Sequence, residues 1–254
     1  MYSFTALFIL IGAVIVAAVG VHLIQRRVPH HNRRPHNDVT GAIFNAIAAF
    51  YTILVAFVIV SLWTSNSAAG QVTQNEANDL GDVYWLSRQM PLAQGAPLER
   101  LTLNYAHTVI NQEWPLLAKH ESSPAATSLI YQMRDEAFDM NPATLREQVI
   151  FQQVTAAVAA LASDRRTRLS ITTDSGIPPF LWSGLIGGGA IIVGFVFVFG
   201  VSSTRVHIIM AVALAAVVTT SLILIKDLNY PFSGPGRVGP GAFDVFLSRL
   251  PPPR

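Results

Sequence analysis

Three acids stand about one turn apart at Glu76, Asp79 and Asp82. On a helix, Glu76 and Asp79 share a face that could hold a cation or form an acidic vestibule, although a solvated helix face has the same look. Three imidazoles crowd a short stretch at His30, His31 and His36, beside Arg33 and Arg34. Imidazole is a common metal ligand, but in such basic company it more often rests among lipid headgroups. A third constellation is almost free of charge. Asp38, Ala42, Asn45, Ala49, Thr52 and Ala56 recur at spacings of four and three, which puts them on one helix face, with Ile43, Phe44, Ile47, Leu54 and Val58 opposite. A small and polar stripe of this kind lines an aqueous path when several copies surround an axis. It also lets helix backbones approach closely, which is the commoner cause. The chain has no cysteine, and no G-x-S-x-G, H-E-x-x-H or Walker sequence. No enzyme chemistry, no cofactor and no metal centre are expected from it.

The stripe lies in one of four long apolar runs free of Asp, Glu, Lys and Arg, at about Ser3–Ile24, Val39–Trp63, Pro179–Val201 and Val206–Ile225. Each is long enough to cross a hydrocarbon core of roughly 30 Å as a helix. A mean hydropathy of +0.42 and a charged fraction of 13% agree. The first run lacks a basic leader and is too long for the apolar part of a signal peptide, so a retained anchor is expected. Among the ionisable groups only His22 and His207 fall within the runs, each near an end, where a place at the interface is the plain reading. A proton-coupled transporter would bury such a group at mid-membrane, which disfavours coupled transport.

The net charge of +2 is unevenly distributed. Thr64 to Pro178 holds 12 acids against 8 bases, a net of −4, whereas the loop after the first run holds four Arg against Asp38. Short Arg-rich loops stay cytoplasmic, which would put the middle segment outside; Arg165, Arg166 and Arg168, close to the third run, count the other way. The second run has no stop signal, and a single helix is expected to continue from it to about Gln89. Pro91, Gly95 and Pro97 break it. A second helix follows over about Leu98–Lys119, bent or divided by Pro115. A third is capped by Ser123-Pro124 and covers about Ala125–Met140, and a fourth begins at Asn141-Pro142 and runs toward Leu169. No alternating strand pattern appears. In the third run, Gly184 and Gly188 stand at GxxxG spacing among Gly187, Gly189 and Gly194, a sign of tight helix packing.

Several blocks in order resemble the bestrophin-like family of bacterial membrane proteins. They are His36-Asn37-Asp38-Val39-Thr40-Gly41 leading into Phe50-Tyr51, then Glu76, then Arg165-Arg166-Thr167-Arg168-Leu169, and Ile177-Pro178-Pro179-Phe180-Leu181-Trp182. The tail Asp227-Leu228-Asn229-Tyr230-Pro231-Phe232-Ser233-Gly234, followed by Pro240-Gly241-Ala242-Phe243, is the most specific of them. The resemblance extends in layout to the bestrophin channels, pentamers with four spans per subunit in which the second span forms a narrow pore neck. Matching Phe50-Tyr51 to the Phe-Tyr of that neck places Ala46 and Ala42 where those channels have bulkier apolar residues, so a wider neck is implied. The resemblance also implies a cytosolic middle domain, opposite to the Arg count.

Together these readings give an all-α membrane protein with four transmembrane helices and an extramembrane helical domain between the second and third. The segments are 1–63, 64–178, 179–226 and a Pro/Gly-rich tail at 227–254. The expected function is that of an ion-channel-like homo-oligomer, a pentamer by resemblance, in a bacterial cytoplasmic membrane. Ala42, Asn45, Ala46, Ala49, Phe50 and Thr52 would face the pore. The alternative is a non-conducting scaffold or sensor whose middle domain binds a partner or ligand. The partners expected are the lipid bilayer, further copies of the chain and ions, with no nucleic acid. Arg165, Arg166 and Arg168 are read as able to grip lipid headgroups where the middle domain meets the membrane.

Overall fold

The computed structural model describes residues 2–28, 33–174 and 176–251. His30 and His31, two of the three imidazoles in that stretch, lie outside the described residues. The helices are α1 (Tyr2–Arg27), α2 (Asn37–Ser87), α3 (Leu92–Thr108), α4 (Trp114–Leu117), α5 (Pro124–Phe138), α6 (Leu145–Asp174), α7 (Pro179–Val196), α8 (Thr204–Leu228) and α9 (Gly241–Ser248). A 3₁₀ turn at Arg34–His36 precedes α2, and a π-turn at Val109–Glu113 joins α3 to α4. No strand occurs among the described residues. Four helices, α1, α2, α7 and α8, are long and apolar enough to cross a membrane.

The chain divides into two compact units, Met1–Trp63 with Gly176–Asn229 and Thr64–Ser175 with Tyr230–Arg254. In the first, α1 packs along α8 through Ala17, Val21, Ala211 and Ala215, and Gly20 lies beneath the Phe197 ring. Helix α7 stops at Val196, five residues short of the expected Val201. The reason is local. Amides 197, 198 and 199 bond carbonyls 194, 195 and 196, a tightening that leads out of the helix, and the Arg33 Nη1 donates to the carbonyls of Phe197 (2.7 Å) and Phe199 (3.0 Å). Gly200 is required where it stands, since a Cβ there would fall 2.3 Å from the backbone nitrogen of Arg34. The Asn37 side chain brackets the same residue, accepting from its N–H (2.8 Å) and donating to its carbonyl (3.3 Å).

In the second unit, the polar half of α2 and helices α3, α5 and α6 enclose a core that includes Leu80, Val83, Leu98, Tyr105, Met133, Val154, Val158 and Leu161. Phe232, Phe243 and Phe246 of the tail complete it. Three boundaries differ from the sequence expectation. Helix α3 begins at Leu92 and holds Pro97 inside as its sixth residue, where the proline leaves the Ala93 carbonyl without an intrahelical amide. Helix α6 begins at Leu145 and not at Asn141-Pro142. There the Thr144 hydroxyl accepts the Glu147 amide (3.2 Å) and the Glu147 carboxylate accepts the Ala143 amide (2.8 Å), a reciprocal cap. The bend at Pro115 takes the form of a π-turn, in which the Trp114 amide reaches back five residues to the Val109 carbonyl. Proline at 115 offers no amide and crowds the carbonyl four residues before it, so the turn widens.

Candidate functional site

Helix α2 carries two of the three constellations that the sequence singles out. In the first unit its inner side presents Tyr51, Val55 and Leu62 to Leu185 and Ile192 of α7 and to Val218 and Ile225 of α8. The Tyr51 hydroxyl donates to the Leu185 carbonyl at 3.0 Å. Its ring lies against two glycines. A Cβ on Gly188 would come within 2.8 Å of that ring, and one on Gly189 within 2.7 Å of Val218. The close approach therefore occurs at the adjacent pair Gly188-Gly189, whereas Gly184, the other half of the GxxxG spacing, has nothing within 4 Å.

The other side of α2 is uncovered. Ala42, Asn45, Ala46, Ala49, Phe50 and Thr52 are all exposed. The neighbours Phe50 and Tyr51 differ sharply, at 74% and 7% exposed. The Asn45 amide has no hydrogen-bond partner among the described residues, although it lies inside an apolar run.

At one end of the same unit His207, near the start of α8, is fully buried. Its Nδ1 accepts from the Gln25 amide (3.0 Å) and its Nε2 donates to the Val196 carbonyl (2.8 Å), the tautomer these partners select. Gln25 also donates to the Val201 carbonyl, so this histidine ties α1 and α8 to the end of α7.

In the second unit, Glu76 of α2 belongs to a buried ionic network, in which Arg165 Nε and Arg168 Nη1 alone find no partner among the described residues. Arg168 grips it through two bonds, Nε to Oε2 at 2.6 Å and Nη2 to Oε1 at 2.9 Å, and Tyr105 donates to Oε1 at 2.6 Å. The Arg168 Nη2 also reaches Glu113 Oε1 at 2.8 Å. Arg165 holds the other Glu113 oxygen at 2.7 Å, and further donates to Thr127 and the Ser123 carbonyl. Glu76, Glu113 and Arg168 are completely buried. Burial alone would lower the Arg168 pKa, but Glu76 and Glu113 more than reverse this and keep the guanidinium charged. Burial and then Glu76 hold the Tyr105 phenol well above its ordinary value. The guanidinium of Arg168 lies over the Trp114 ring, 5.0 Å from its centroid. Two arginines thus meet two glutamates, and the network carries no net charge.

This overturns the reading of Arg165 and Arg168 as headgroup ligands, since both are buried; Arg166 alone of the three is exposed. Glu113, Tyr105 and Trp114 enter the network without having been singled out by sequence.

Asp79 and Asp82 do not join it. Asp79 is half-buried, and burial, then Asp164, Asp82 and Glu76, push its carboxyl up from 3.8 to about 6. Asp164 is raised too, by burial and by Glu76. The folded chain then binds a proton more tightly than the unfolded one between about pH 4 and 6, so stability falls as pH rises through that window. Asp79→Asn is expected to raise stability at pH 7.5 by about 1 kcal/mol after solvent screening, and to change it little at pH 4. Unfolding midpoints at the two pH values check this.

A model of the bestrophin-like domain family matches residues 11–243. The chain belongs to the bestrophin-like family. No curated protein and no solved structure matches it. The family and the four apolar helices together make this a membrane protein. The residues that carried the family resemblance are distributed through both units of this bestrophin-like chain. Asn37 holds Gly200, Gly41 faces Phe199, Tyr51 sits on the glycine pair, and His36 is exposed on the 3₁₀ turn. Glu76 and Arg165 belong to the buried network. Asp227 is half-buried near the end of α8. Pro231 and Phe232 are buried, and Gly234 turns the tail at φ 83°, a conformation that favours glycine. That turn is closed by the Val238 amide on the Pro231 carbonyl (2.7 Å), and the Val238 carbonyl in turn accepts the Trp114 indole (3.1 Å).

Proposed function

We propose that this bestrophin-like chain is one subunit of a homo-oligomeric ion channel in a bacterial cytoplasmic membrane. Four helices cross the bilayer, and α2 lines a central path with Ala42, Asn45, Ala46, Ala49, Phe50 and Thr52. The observation that carries the reading is the uncovered face of α2 with its unpartnered Asn45 amide. An amide turned to lipid costs several kcal/mol, while the same group beside an aqueous axis is hydrated. Small neighbours leave room for that water. If the stripe served helix packing alone, the surface it packs against would come from outside the described residues of this chain, and a second copy is the partner we assign to it. A ring of five follows from the family's likeness in layout to the bestrophin channels. No catalytic role is assigned.

In bilayer recordings of the purified chain, Asn45→Leu is expected to lower unitary conductance about tenfold, the effect of some 1.4 kcal/mol added to the barrier of a narrow path. Unchanged conductance with lowered stability would instead assign Asn45 to packing. A second reading, a non-conducting anchor whose middle unit binds a ligand or partner, is favoured by a groove of about 560 Å³ between α3 and α9, lined in part by Tyr84, Leu92, Leu103 and Leu247.

A further inference from the structure

In the first unit, helices α1, α7 and α8 line a groove of about 330 Å³. Its walls include Ala13, Ala17, Ala190, Val193, Gly194 and Phe197, and Thr219 is its one polar side chain among the described residues. Small side chains leave the hollow, and a Cβ on Gly194 would meet nothing within 4 Å. Val16 and Ile186, which also line it, are exposed, so the groove opens on the surface that these spans turn to the bilayer. A hollow walled by hydrocarbon does not hold water, and in a membrane the matter at hand to fill it is an acyl chain.

Along α7 the lining runs from Ile186 to Phe197, so the groove ends where the helix ends. There the Phe197 carbonyl accepts from Arg33 Nη1 at 2.7 Å. The Nε and Nη2 of the same guanidinium are shielded within the chain and find no partner among the described residues. Charged N–H groups left unbonded are costly, and the oxygens of an anion are the acceptors they lack. Other cations gather at the same end. Gln25 reaches the Val201 carbonyl (3.0 Å) and Arg33 the Phe199 carbonyl, so the end of α1, the approach to α2 and the turn from α7 to α8 meet in one place. Arg26, Arg27, Arg34 and Arg205 belong to these segments. All four are exposed, and none forms an ion pair among the described residues. Asp38 is the one acid in these segments, so five guanidiniums stand against a single carboxylate.

We propose that the groove and this basic end form one site for an anionic phospholipid, with an acyl chain along α7 and the headgroup phosphate on Arg33. A zwitterionic lipid offers the same chain and phosphate with a cation attached, which the surrounding arginines disfavour. The site does not depend on α2 lining a pore. To test it, the full-length protein is delipidated in a neutral detergent and offered phosphatidylglycerol or phosphatidylcholine with the same chains. Native mass spectrometry and thermal unfolding follow the outcome. One phosphatidylglycerol per chain is expected to be retained, roughly tenfold better than phosphatidylcholine, and to raise the unfolding midpoint. Two substitutions address the two halves of the site. Gly194→Leu fills the groove without striking another group, and Arg33→Lys keeps a donor for the Phe197 carbonyl while removing Nε and Nη2. Each should cut retention roughly tenfold, with the lipid-free midpoint near that of the parent. Equal retention of the two lipids overturns the recognition of charge. Phosphatidylglycerol held unchanged by both variants lies elsewhere, which overturns the site. Stabilisation by inorganic phosphate as large as that by phosphatidylglycerol overturns the lipid as ligand. A parent that retains no lipid, with an oligomer that Gly194→Leu dissociates, assigns the groove to a second copy and overturns the proposal.

Discussion

Replacing Arg168 with leucine unfolds the middle helical unit. The substitution leaves Glu76 and Glu113 buried; of the two carboxylates Arg165 reaches Glu113 alone, and Tyr105 reaches Glu76 alone. Removing one partner from a buried ion pair costs about 3–5 kcal/mol, because the remaining charge is stranded. That is a large share of the 5–15 kcal/mol that holds a typical domain together. Thermal unfolding of the full-length protein in detergent, followed by circular dichroism, should show the loss as an early transition. The double variant Glu76→Gln/Arg168→Leu should be more stable than Arg168→Leu alone, since it removes the stranded carboxylate. An Arg168→Leu variant as stable as the parent would mean that the network contributes nothing to holding α2, the π-turn and α6 together.

Leucine at Gly188 separates α2 from α7 in the first unit, and leucine at Gly189 separates α7 from α8. The first added carbon would already lie 2.8 Å from the Tyr51 ring or 2.7 Å from Val218, and neither neighbour is the free end of a flexible chain. Overpacking of this kind costs about 1–3 kcal/mol, and the Tyr51 to Leu185 bond, about 1 kcal/mol, goes with it if the helices part. Gly184→Leu is the matched comparison, because nothing lies within 4 Å of that position. The expected order of melting temperatures is the parent and Gly184→Leu together, then Gly188→Leu and Gly189→Leu well below. Equal losses at all three sites would show that glycine matters here only through helix flexibility.

The long helix through Trp63 was legible because nothing between Asn37 and Ser87 can end it: no proline, and no glycine at a position followed by a break. The tail's importance was visible as a motif but not as a contact, since the partners of Phe232 and Phe243 lie far away in sequence, on Trp114. The buried network left a trace that hydropathy reading passes over. The apolar stripe Val154, Val158 and Leu161 continues at the same spacing into Arg165 and Arg168, so both arginines stand on the core side of α6. Ala69, Thr73, Glu76, Leu80 and Val83 do the same on α2. A charge in core register on two helices predicts a pair. Glu113 had no such signal, because its inward position depends on the register shift of the π-turn, and that follows from Pro115 only once the helix is known to continue through it. The end of α7 was misplaced for a similar reason. Residues 197–201 are as apolar as the helix before them, and what stops the helix is Arg33 and Asn37, from a different part of the chain.

In the proposed channel, the exposed face of α2 is met by other copies of the chain. Subunit stoichiometry of the purified protein in mild detergent, by native mass spectrometry or by particle symmetry, tests this most directly. A closed ring, five subunits by the family likeness, with Asn45 and Phe50 turned toward the axis is the predicted result. A monomer or a two-fold dimer would leave no axis for α2 to line and would contradict the account.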